Sequence, residues 1–430
     1  MPHAQSRYLS KLLLAMFFCV PPVPCRGQTY DVLCRNGFGS FYTTFSTGVL
    51  VSVGAVKKSG LALRLCQASL GWNEHTLQLE SHAAQVDIDV LGADLGLRTP
   101  VIALQVKRSE LDPLMKYEIY SLKRPPRLLR TITGGDYYSA ADTDMDGRIE
   151  IWTDDAGVVN GFDNIPLSAL DFAPNVVLRF EHERLIDVSS EFQSHYDRQI
   201  AIVRAHLGTQ QLIDFKNSDG SLSVTGPVLA ESTLHSLIVT KIKVLEIVWC
   251  YLYSGRDKAA WEALGAMWPT ADFERIRKLI LEAQVRGIRA QIDGVSQVSS
   301  LHHFKRKQTM IYDRLSYAEP NEGNPLSWSY KRGMGGPPNP EHSFEGDSDP
   351  VEIFLRRPPS PDPDALRSEL DTQVTVDLVI DAAGKVRSAT AEGKPDQELI
   401  DATADWKFIP AFREGRPVAS RLRIGVTPYR

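Results

Sequence analysis

The sequence predicts a multidomain α+β protein, with an N-terminal all-β domain (a sandwich or partial propeller), a central α-helical domain and a C-terminal ββαβ unit. Three observations predict it. From about residue 30 to residue 190, short runs alternate apolar and polar positions, with Gly, Pro, Asn and Asp between them. From residue 191 the apolar spacing changes to a helical one. Over the last sixty or so residues strand patterns return around one short helix. With 430 residues, 43% of them hydrophobic, the chain has room for two to four domains with sizeable cores.

The first 27 residues read as a signal peptide. Arg7 and Lys11 flank the start of "LLLAMFFCV" (residues 12–20), and "PPVPCRGQ" follows. A basic start, a short apolar core and a small residue at Gly27 form the secretory pattern. The run is shorter than the roughly 20 apolar residues that span a bilayer. Lipid attachment at Cys25 is the weaker alternative, because Pro-Val-Pro before it makes a poor processing site. The expected location is therefore periplasmic or secreted. Of five cysteines, Cys34, Cys66 and Cys250 remain after cleavage. In an oxidising compartment Cys34 and Cys66 are the natural disulfide pair. Closing that loop of about 30 residues is worth roughly 3–4 kcal/mol. Cys250 lies in an apolar helical stretch and reads as core.

Residues 28–190 form the expected β domain. Strand signals are "GVLVSVGAV", "TLQLES", "PVIALQVKR", "KYEIYSL", "RIEIWTD" and "NVVLRFEHERLIDVS", the last a hairpin turning at "EHER". Residues 191–295 form the helical domain. Phe192, Tyr196, Ile200, Val203 and Leu207 share one helical face, and helices are expected over residues 232–255, 256–269 and 270–294. Residues 296–364 read as a loop-rich linker with one short strand, "VEIFLRR".

Within the β domain, "ADTDMDGRIEIWTDD" (residues 141–155) spaces oxygen ligands as calcium requires. Asp142, Asp144 and Asp146 fall at positions one, three and five, Gly147 allows a sharp turn, the carbonyl of Arg148 comes next, and Glu150 is ninth. An EF-hand fails on two counts: Thr153 stands where its bidentate Glu belongs, and a strand follows instead of a helix. The pattern resembles the acidic hairpin loops of FG-GAP or VCBS-type β-propeller repeats, which implies a calcium ion bracing a turn. A fainter copy surrounds Asp87, Asp89 and Asp94, without the Asp-Gly turn. Some 160 residues do not supply the four blades of a closed propeller.

The C-terminal unit, residues 365–430, has two strands hinged at "DAAGKV", a short helix, then "WKFIPAFREGRPV" and a last strand. Gly384 suits a tight hairpin, and Trp406 and Phe408 fall on one strand face. These motifs, in order and at this spacing, resemble the TonB C-terminal domain family. The resemblance implies a protein-protein interaction module that adds a strand to a partner's sheet. Its partners would be envelope proteins, outer-membrane receptors among them. Arg421, Arg423 and Val426 lie on the strand whose edge is expected to meet that partner.

Catalytic signatures are missing: the sequence has no G-x-S-x-G, H-E-x-x-H, Walker loop or C-x-x-C. "GFGS" and "GMGG" are loop glycines, His302 and His303 point apart, and Glu181 and Glu183 sit at a hairpin tip. A net charge of −5 argues against nucleic acid. The expectation is an exported, non-enzymatic binding or adaptor protein, reaching membranes only through a partner or an uncleaved leader. The alternatives are a TonB-type energy transducer, or a secreted hydrolase using carboxylates of the β domain.

Overall fold

The strand alternation of the first half builds three sheets. Strands β1 (Cys34–Arg35), β6 (Gln85–Leu91), β7 (Val101–Lys107), β8 (Lys116–Ser121) and β9 (Leu128–Thr133) pair antiparallel in that order. Strands β2 (Phe41–Phe45), β3 (Val49–Lys57), β4 (Arg64–Trp72) and β5 (His75–Ala83) form a meander. A third, antiparallel sheet holds β10 (Tyr138–Ala141), β11 (Glu150–Asp154), β12 (Asn175–Glu181) and β13 (Arg184–Asp187). This is a computed structural model, and it describes residues 33–45, 47–57, 64–165, 172–222, 231–293, 327–330, 341–342, 346–355, 374–391 and 397–426. The leader with Arg7, Lys11, Cys25 and Gly27 lies outside the described residues, as do His302, His303 and "GMGG".

The central strands of the β1/β6–β9 sheet, β6 and β7, are buried on both faces, which explains their composition. Along β7, Val101 and Ala103 enter one core while Ile102, Leu104 and Val106 enter the other. A strand covered on both sides reads as a near-continuous apolar run, and "VIALQV" is one. The β2–β5 sheet covers one face with Val49, Val51, Val53 and Leu70. The β10–β13 sheet and the helices cover the other. The Cys34–Cys66 disulfide joins β1 to β4, and so one stacked sheet to the next, with Cα atoms 5.9 Å apart. Such a bridge belongs to oxidising compartments.

The helices are α1 (Ala156–Val159), α2 (Gln193–Ala205), α3 (Thr209–Lys216), α4 (Glu231–Tyr253), α5 (Asp257–Met267) and α6 (Phe273–Gln284). Apolar spacing locates α2, where Tyr196, Ile200 and Val203 are buried, and α4, which ends at Gly255 with φ +75°. Cys250 is buried and free. Helix α3 falls between the helical face of residues 192–207 and the helix expected from residue 232. Its stabilisation is tertiary: Phe215 is fully buried, edge-on to Trp268 at 5.0 Å. No helix among the described residues is long and apolar enough to cross a membrane.

The C-terminal sheet runs β14 (Ser327–Tyr330), β22 (Ser420–Val426), β17 (Val374–Ile380), β18 (Val386–Ala391). Helix α7 (Gln397–Ala402) contributes Leu399 to its core, with Trp406 and Phe408. Short ribbons join β16 (Val351–Phe354) to β19 (Lys407–Ile409) and β20 (Ala411–Arg413) to β21 (Arg416–Val418). A two-residue strand, β15 (Glu341–His342), lies parallel to β2. The C-terminal residues also reach into the other cores. Ile409 and Phe412 join the core between the two stacked sheets, where β19 lies against β6, and Ala382 and Ala383 pack in the core shared with the helices.

Candidate metal centre

Residues 142–149 connect β10 to β11, which pair in register Ala141 with Glu150. The loop is held by its own acids. The Gly147 amide donates to Asp142 Oδ2 at 3.0 Å, and the Arg148 amide donates to Asp146 Oδ1 at 2.9 Å. Met145 and Gly147 carry φ of +58° and +83°. A Cβ on Gly147 would meet nothing within 4 Å, so glycine is there for its backbone conformation and not for space.

This winding brings Asp142, Asp144 and Asp146 together, each offering one carboxylate oxygen within 4.8 Å of the others. Asp142 is 1% exposed. Its Oδ1, and Oδ1 of Asp144, are shut off from solvent without a hydrogen-bond partner. Buried carboxylate oxygens with no donor are costly unless a cation completes them. Burial, then the charges of Asp381, Glu150 and Asp146, push Asp142 up to about 8. Burial and Asp146 also raise Asp144. Burial would raise Asp146 too, but the Arg148 guanidinium donates two bonds to it and holds it below the usual carboxylate range. Hard oxygen donors at this density suit a divalent cation such as Ca²⁺ better than a soft metal.

Glu150, expected ninth in the ligand set, is not among the three clustered acids. Its Oε2 accepts the Thr143 amide at 3.1 Å, and its Oε1 meets Arg179 at 3.3 Å. It is fully buried, and burial pushes it up to about 7. Arg179, which the sequence reading missed, is 2% exposed and also binds Glu181 and Glu191. Glu150 thus braces the base of the loop. Arg148, expected to offer its carbonyl, also commits its side chain to Asp146.

The fainter acidic copy has a different environment. Asp87 and Asp89 are 4% and 2% exposed. Asp89 accepts the Tyr117 hydroxyl at 2.6 Å and the Ala140 amide at 2.8 Å, and it pairs with Lys385. Asp87 accepts the Leu33 amide at 3.2 Å and pairs with Lys407. Asp94 caps its own turn, accepting the Gly96 and Leu97 amides. These acids are satisfied by the chain itself. Two acids inside the buried run "VDIDVL" are the signal: such charges require partners.

The expected partner-binding edge needs correction. Over residues 420–423, β22 is not a free edge, because β14 pairs with it in parallel, Ser327 with Ser420 through Tyr330 with Arg423. Cover comes from a strand within the stretch read as linker, which no local pattern announces. Arg423 also donates to Asp377 at 2.6 Å, and Val426 is buried in the C-terminal core. Glu181 ends β12 and Glu183 lies in the β12–β13 turn, the hairpin tip read from sequence. Glu181 serves Arg179, and Glu183 lies 3.8 Å from Arg98. A cleft of about 530 Å³ between the segment after β11 and α6 contains one carboxylate, Asp163, which is bound to Lys241 and Arg275.

No family model, no curated protein and no solved structure matches this chain.

Proposed function

We propose that the chain is an exported, non-enzymatic binding protein of the cell envelope in which the Asp142 loop holds Ca²⁺ as a structural brace. The carrying observation is the pair of partnerless, solvent-excluded oxygens on Asp142 and Asp144 beside Asp146. Calcium would bind through Asp142, Asp144 and Asp146, supplying charge and not chemistry. Titration calorimetry of calcium chloride into the full-length protein tests this. A single site that disappears in Asp144→Asn supports it, and absence of binding overturns it.

Partner binding is assigned to the C-terminal unit. Support comes from its resemblance to the TonB C-terminal domain family and from the strand, strand, helix, strand order of β17, β18, α7 and β22. With residues 420–423 paired to β14, a partner strand would have to displace β14 or use residues 424–426. Cross-linking of the full chain in an envelope fraction tests this. Partner links mapping to residues 420–426 support the assignment, and links confined to the helices or the β2–β5 sheet sink it.

A further inference from the structure

The Asp142 loop does not stand alone at the end of a hairpin. The turn between β17 and β18, residues 381–384, is seated on it. Asp381 is fully buried and accepts three amides: Ala383 and Lys385 of its own turn on Oδ1, each at 2.9 Å, and Asp142 on Oδ2 at 3.0 Å. Arg387, on β18, donates to the carbonyl of Thr143 at 3.0 Å. The first two residues of the loop therefore hold the C-terminal unit by their backbone, while the side chain of Asp142 belongs to the acidic cluster. Gly384 lets the turn lie close against its own unit, since a Cβ there would lie 1.9 Å from the Phe408 carbonyl oxygen. Asp381 is not one of the clustered acids, and both its oxygens accept amides, one of them from the loop's backbone.

We infer that cation occupancy of the Asp142 loop controls how firmly the β17–β18 turn, and with it the C-terminal unit, is held against the β10–β11 hairpin. This inference rests on the calcium reading of the same loop. Without a cation, Asp142 Oδ1 and Asp144 Oδ1 have no partner to hold them, and the winding of the loop rests on its own backbone bonds. With one, the loop is fixed and the Asp142 amide and Thr143 carbonyl are held for Asp381 and Arg387. Linkage makes the effect reciprocal: cutting the seat weakens calcium binding by the factor by which calcium tightens the seat.

Hydrogen exchange of the full-length protein, in saturating calcium chloride and in chelator, tests it. Calcium should slow exchange on the order of 10-fold at Asp142 and across residues 381–385, leaving β3 and β4 unchanged. In Asp381→Asn the side-chain amide opposes the Asp142 amide, whereas the two bonds within the turn can persist. This variant should still bind calcium, with lower affinity, and lose the calcium response of residues 381–385. Arg387→Gln should do the same to a smaller extent and serves if Asp381→Asn misfolds. Calcium binding with protection confined to residues 142–150 overturns the coupling and leaves the calcium site standing. No calcium binding at all overturns both.

Discussion

Two acidic clusters lie within one hydrogen bond of each other in this protein and are handled in opposite ways. Asp89 accepts the amide of Ala140, only two residues before Asp142. Yet Asp87 and Asp89 are neutralised by Lys407 and Lys385, roughly 300 residues away in sequence, whereas Asp142 and Asp144 keep oxygens that no donor meets. The contrast teaches that an acidic spacing is not in itself a ligand set. The deciding question is whether the fold supplies a positive charge. At β6 it does, with ammonium groups. At the loop, among the described residues, the ion pair made by the clustered acids is that of Arg148 with Asp146, the outermost of them.

The largest expected effect tests the satisfied cluster. Lys385→Met leaves Asp89 buried beside Tyr117 with its counter-charge gone. Removing one member of a buried pair costs about 3–5 kcal/mol, read as a drop in urea-unfolding stability that calcium does not restore. A loss below about 1 kcal/mol would mean that the hydroxyl and amide bonds alone satisfy Asp89.

Retention of a proton, open to Asp142 as well while the loop holds no cation, is the solution at a further acid. Asp154, at the far end of β11, is pushed up to about 8 by burial first and then by the Asp136 side chain, while the Asp136 amide, donating to it at 2.8 Å, pulls the other way. Its folded value lies above the unfolded one, near 3.9. Its contribution to stability is therefore complete below about pH 4 and is lost as pH rises through about 8. Asp154→Asn keeps a neutral acceptor for the Asp136 amide, so its stability relative to the parent should grow across that window. The gain should reach on the order of 3 kcal/mol by pH 8, since each unit is worth roughly 1.4 kcal/mol and relaxation absorbs part of a large shift. Parallel pH–stability curves for the two proteins would show that Asp154 is ionised throughout.

How much of this was legible in the sequence follows from the range of each interaction. Local signals were readable: the period-two runs of β3 and β7, the helical faces of α2 and α4, the His182–Glu183 turn with both φ positive, and the Asp-x-Asp-x-Asp-Gly spacing that gathers Asp142, Asp144 and Asp146. Cys34 and Cys66 could be paired because few cysteines competed. What escaped is long-range. Nothing beside Asp87 predicts Lys407, and nothing in "DAAGKV" shows that Asp381 will accept an amide 239 positions away. The turn was readable as a turn, but its partner was not. Helix α3 and strand β14 are short elements stabilised by what they pack or pair with, and short elements carry too little pattern to stand out.

For the unsatisfied cluster, calcium itself is the probe. At a free concentration 100 times the dissociation constant it should stabilise the folded chain by about 2.7 kcal/mol. That appears as a rise in thermal midpoint that chelator reverses and Asp144→Asn abolishes. An unchanged melting curve with a strong chelator would show that these oxygens are satisfied some other way.

The smallest effect sharpens the contrast most, because its two parts have opposite signs. Arg148 is the protein's own cation on this cluster, about one-third exposed and paired with Asp146. Exposed pairs are worth under about 1 kcal/mol, so Arg148→Ala should cost the calcium-free protein little. With calcium present, the guanidinium is a competitor for Asp146, and its removal returns that carboxylate to the ion. Affinity should then rise about five-fold, roughly 1 kcal/mol, by calorimetry. If affinity falls instead, Arg148 is positioning Asp146 for the ion, and the loop supplies its own cation as a template and not a rival. That outcome would draw the two acidic clusters together, since lysine at β6 and arginine at the loop would both be integral to their sites.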